Sequence, residues 1–173
     1  MAVTASGVES LPLEHLKTIL SNSSTFQTWT GHTGSASGAA GHIHYIAVAD
    51  DLGAVGATAV RPLAVIDFAD DGFSTEAIAG GAGHAFTQEG TLNLYFENDV
   101  ASGNSAVERE AFLAFMNNVG AVINEIANLS GTSTYLNIMS MARVHGPVRG
   151  AHEQKKDSDD FIEVAYTVDW SLL

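Results

Sequence analysis

The chain has 173 residues and no cysteine, a size that suits one domain with its own core and a composition that excludes disulfides, thiolate zinc sites and cysteine nucleophiles. Acidic residues outnumber basic ones 20 to 7, for a net charge of −13, so most of the surface repels phosphate backbones rather than gripping them. No apolar run approaches membrane-span length, and the first residues lack the basic and apolar regions of a secretory signal, so a soluble, unexported protein without a membrane partner is expected.

Residues 1–9 show no periodic pattern and read as a mobile tail or a partner-contacting arm. A helix is predicted from about residue 10 to 22, with Pro12 in its first turn and Leu13, Leu16, Ile19 and Leu20 on one apolar face. Phe26 and Trp29 then cap the core from a turn or short helix. The stretch GHTGSASGAAG at 31–41 offers almost nothing to pack and reads as a flexible loop. Strands are predicted over His42–Val48, Arg61–Phe68 and Ser74–Ala79, interrupted by a turn at 49–58 and by the glycines of 80–84. Leu92, Leu94 and Phe96 alternate with Asn93, Tyr95 and Glu97, the pattern of a half-buried antiparallel strand.

The best-defined element follows. Ser105 and Glu108 have the spacing of a capping box, Gly131 stands where a left-handed C-terminal residue is expected, and the helix between them spans roughly 36 Å at ~1.5 Å per residue. Phe112, Phe115, Met116, Val119, Ile123 and Ile126 form its apolar stripe. Beyond it, Tyr135–Val144 reads as a strand with Leu136 and Ile138 on one side and Met139 and Met141 on the other. Residues 145–160 are polar without a packing pattern, a long loop of the kind that serves assembly or function. Ile162, Val164, Tyr166, Val168 and Trp170 then alternate perfectly and define one buried face. The fold class is α+β: a mainly antiparallel sheet packed on one face by the long helix of about 105–130 and the N-terminal helix of about 10–22.

Two constellations stand out. His42 and His44, two apart on a strand, point the same way and could take a metal with His32 or His84 as third ligand; as exposed or interface histidines they would instead make an assembly pH-sensitive. Arg143, Arg149, Lys155 and Lys156 concentrate most of the basic charge in one interval, a patch suited to an acidic partner or a neighbouring copy. The glycines of 80–83 match no phosphate-binding spacing, and the paired aspartates lack EF-hand spacing. No nucleophile-elbow pattern is present. The residues therefore offer no catalytic centre and call for no cofactor; a binding or structural role remains.

LPLEHLKTILSNSSTFQTW near the start, RPLAVIDF, the helix AFLAFMNNVGAVINEIANLSG and a closing FIEVAYTVDW after a long loop together resemble the tail-terminator or tail-completion proteins of tailed bacteriophages. The resemblance implies the same α+β layout and a homo-oligomeric ring, commonly a hexamer. It implies partners as well: the tail-tube protein on one side and the neck or connector on the other, within a virion assembled in the host cytoplasm. DNA would pass through the ring without specific binding, and a six-fold ring would carry about −78 charges to discourage sticking. Two alternatives stay open: another neck or head-completion adaptor, and a small metal-binding module or metal-dependent enzyme using His42 and His44.

Overall fold

Alternating apolar residues build the sheet, and the helices cover it. The computed structural model describes residues 10–45, 60–78, 85–100, 105–130, 136–151 and 160–172. In chain order these form α1 (Leu11–Asn22), α2 (Ser24–Trp29), α3 (Ala36–Ala40), β1 (Ile43–Tyr45), β2 (Leu63–Ile78), β3 (Ala85–Asp99), α4 (Ser105–Leu129), β4 (Asn137–Ala151) and β5 (Asp160–Leu172). The five strands make one sheet in the order β1-β2-β3-β5-β4, parallel between β1 and β2 and antiparallel elsewhere. The protein is α+β, with a mixed but mostly antiparallel sheet.

One face of the sheet meets the helices. Ala64 and Ile66 of β2, Leu92, Leu94 and Phe96 of β3, and Val164, Val168 and Trp170 of β5 share a core with Leu16, Ile19 and Leu20 of α1, Phe26 of α2 and Phe115, Val119, Val122 and Ile126 of α4. Register holds this face together: Phe96 lies opposite both Ala64 and Val164, and Leu92 opposite Val168. Trp29 ties α2 to the sheet and to α4, with its ring 6.2 Å from Phe26, 6.2 Å from Phe96 and 5.8 Å from Phe115. Aromatic clusters at such spacing add about 0.5–1.5 kcal/mol per pair to the area they bury.

Several expectations need correction. The strands expected at 61–68 and 74–79 are one in their described part: residues 63–68 and 74–78 both belong to β2, whose pairing with β3 shifts register between Phe68 and Phe73. Phe112 does not join the helix stripe: it is 37% exposed, and Val122 is buried in the core instead. On β4 a register shift between Ile138 and Ser140 resets the alternation. An extra residue in one strand flips every later side chain to the opposite face. Met141 therefore packs on the same core as Ile138, while Met139 is left 52% exposed.

The expected loop at 145–160 is also too long. Residues up to Ala151 belong to β4, and β5 begins at Asp160. Gly146 and Pro147 break the apolar rhythm there, and the strand absorbs them through further register shifts between Arg143 and Val148. Gly146 has φ +90°, and a Cβ on it would lie 2.6 Å from the Glu163 carbonyl oxygen. Only glycine fits that contact.

Candidate functional site

The glycine stretch expected to be a flexible loop is ordered, and it builds the most specific polar cluster of the described residues. Gly31 and Gly34 take φ values of +80° and +76°, which turn the chain back on α2. Gln27 secures the turn from both ends: its carbonyl accepts from the His32 amide at 2.7 Å, and its side-chain oxygen accepts from the Gly34 amide at 3.1 Å. Ser35 then caps α3, its hydroxyl accepting from the Gly38 amide at 3.2 Å. The His32 ring rests on Gly38, where an added Cβ would sit 2.5 Å from its Nδ1.

His42 enters the same corner from the start of β1. Its amide donates to Ala39, and its carbonyl accepts from Ala64 at 2.9 Å. Its ring Nδ1 lies 2.8 Å from the Pro62 carbonyl oxygen and 3.0 Å from that of Val60. A carbonyl only accepts, so Nδ1 carries the proton, and in the neutral ring Nε2 presents a lone pair. That Nε2 is 3.2 Å from Nε2 of His32, with the ring centroids 5.1 Å apart. Between two neutral rings, His32 is the donor.

His44 follows on β1, in register with Val65 on β2. Burial above all lowers its pKa, and the charges of His42 and Lys17 push the same way. Beside it, Lys17 Nζ stands 5.1 Å over the Tyr45 ring. Burial and the neighbouring Glu14 carboxylate raise the Tyr45 hydroxyl well above its usual range. Among the described residues no group of three or more histidine, aspartate or glutamate side chains converges on a metal position, and His84 lies outside them.

A second candidate surface runs along the sheet's edge. Among the described residues β5 is the one strand that pairs with β4, and β4 exposes Met139, Val144 and Val148. The first half of α4 exposes Val107, Phe112 and Leu113. Between the two elements lies a groove of about 330 Å³ lined by Phe112, Pro147, Val148 and Ile162 together with Glu108 and Arg109. The basic interval is divided by this geometry. Arg143 is exposed on β4 opposite Tyr166, and Arg149 lies opposite Ile162, both on a strand rather than in the expected loop. Lys155 and Lys156 lie outside the described residues. Among the described residues no helix is long and apolar enough to cross a membrane.

Three polar groupings escaped sequence reasoning. Arg61 donates from Nε to Glu97 at 3.0 Å with both side chains almost fully buried, and its guanidinium stacks 4.8 Å from the Phe161 ring centroid. Glu97 therefore sits covered on a face expected to be wet. Thr91 and Ser140 donate to the two oxygens of Asp169 at 2.9 and 2.5 Å. His145 and Glu163 pair at 2.8 Å. Each joins residues distant in sequence, so no local spacing could reveal it.

No family model matches this sequence, and no curated protein is detectably similar to it.

Proposed function

We propose that the protein is a virion structural subunit that closes a ring at the end of a phage tail tube and acts by binding alone. One observation carries the assembly part of this reading: a 15-residue strand at the sheet's edge, β4, with exposed Met139, Val144 and Val148 beside the apolar groove of α4. Long apolar edges are normally blunted or covered, and a neighbouring subunit covers them in an oligomer. The acidic body, at −13 per chain, suits a channel through which DNA slides without being held. The tail-terminator assignment itself rests on the layout of the helices and strands quoted from the sequence.

Native mass determination and negative-stain imaging test it, on the protein alone and mixed with purified tail tubes. A closed ring, six-fold by expectation, alone or at the tube end supports the reading. A monomer that ignores the tubes would overturn it, and attachment to heads instead would favour a head-completion adaptor.

A further inference from the structure

We propose that His32 and His42 chelate a divalent transition-metal ion of the Zn²⁺ or Ni²⁺ kind, clamping the glycine turn of 31–34 to the start of β1. Two imidazole nitrogens bound to one tetrahedral ion at about 2.0–2.1 Å lie roughly 3.3 Å apart. Nε2 of His32 and Nε2 of His42 are already 3.2 Å apart.

The surroundings prepare His42 for this role. Its Nδ1–H is held by the carbonyls of Pro62 and Val60, which leaves the Nε2 lone pair turned toward His32. A ligating histidine whose other nitrogen donates to a backbone carbonyl is the usual support of a metal-bound imidazole. His32 is placed as firmly: its amide is bonded to Gln27, and its ring fills the space above Gly38 that a Cβ would take.

Metal binding replaces a hydrogen bond rather than opening a new space. Without metal, His32 donates its Nε2 proton to His42. With metal, His32 takes the other tautomer, its proton passing to Nδ1 through solvent, so that both Nε2 lone pairs point at the ion. No net proton need be released from the neutral pair. Neutral imidazoles favour the borderline ions of the later first transition row over Mg²⁺ or Ca²⁺, which prefer oxygen. Water completes the coordination. Two protein ligands place the dissociation constant on the order of 1–100 µM, far weaker than a four-ligand structural site.

Calorimetric titration of the untagged full chain with Zn²⁺ and with Ni²⁺ tests the site independently of any ring. One ion per chain should bind, and His32→Gln and His42→Gln should each weaken it at least about tenfold, while His44→Gln and His145→Gln leave it unchanged. Because His42→Gln also removes the bonds to Pro62 and Val60, Gly38→Ala provides a second measure: it keeps both histidines but displaces the His32 ring, and it too should weaken binding. Far-UV circular dichroism verifies that each variant is folded. Absence of binding by the wild-type chain, or binding that survives both His32→Gln and Gly38→Ala, would overturn the proposal.

Discussion

Glu125 of α4 sits on the N-terminus of α2, where Thr25 donates to it twice, from its hydroxyl at 2.5 Å and from its amide at 3.2 Å. Ser23 and Ser24 add hydroxyl donors at 2.6 and 3.0 Å. The carboxylate thus serves as a capping group delivered from a helix a hundred residues away, where it also meets the positive end of the α2 dipole. Burial pushes its pKa up, but the hydrogen bonds from Ser23, Thr25 and Ser24 outweigh it and bring the carboxyl down from 4.5 to about 2. A depressed carboxylate contributes stability that is complete above the unfolded-state value and is lost as pH falls through the folded one. The contribution should therefore fade between about pH 5 and pH 2, and Glu125→Gln should cost about 1–2 kcal/mol at pH 7 but far less at pH 2. Urea midpoints of both proteins across that range measure this; a difference that does not shrink in acid would sink the account.

Arg61 and Glu97 give a different balance. Both side chains are nearly fully buried, and Asp99 lies 3.5 Å from the guanidinium at the exposed end. Truncating one member strands the other in a low-dielectric site, so Arg61→Ala should destabilise by about 3–5 kcal/mol. Replacing both, as Arg61→Met with Glu97→Leu, should recover most of that loss, since apolar residues of similar volume need no desolvated charge. Chemical denaturation of the two singles and the double closes the cycle; a double variant as unstable as the sum of its singles would contradict it.

The distinction between these contacts and the core explains what the sequence made legible. Alternation on β5 and on the 92–96 segment predicted a buried face because each side chain's direction follows from its neighbours alone. It failed on β4, where one register shift sent Met141 to the core and left Met139 outside. The stretch 31–41 lacked packing side chains and so resembled a flexible loop, although Ser35 ahead of a run of small residues was a readable cap. What orders it is a pair of acceptors on Gln27, the carbonyl for the His32 amide and the side-chain oxygen for the Gly34 amide, a pairing that composition does not encode. His42 was visible as a candidate, and the contact of its ring with His32, ten residues earlier and beyond α3, was not.

Gly146 sets the shape of the β4 edge. Alanine there meets a left-handed φ of +90° and a backbone oxygen at 2.6 Å, neither of which a flexible side chain can relieve. Gly146→Ala should cost about 1–3 kcal/mol and loosen the pairing of Val148 with Glu163. Hydrogen exchange at the amides of 148–151 and 160–165 should rise selectively, and uniform protection equal to wild type would count against this reading of the bulge.

Leu113 and Val144 separate assembly from folding. Both are large, apolar and exposed, on α4 and β4 respectively, so charging them removes little from the monomer's core. Surface changes of this kind typically alter stability by no more than about 0.5 kcal/mol. If α4 and β4 face a neighbouring subunit, the same lysines become buried unpaired charges at the centre of an interface, where single side chains carry about 2 kcal/mol or more. Leu113→Lys and Val144→Lys should then each weaken subunit association roughly thirtyfold or more, with melting of the isolated subunit essentially unchanged. Sedimentation velocity across a concentration series reads the association directly. Rings that persist undiminished in the double variant would place the contact on another surface, leaving the exposed residues of α4 and β4 to a different neighbour.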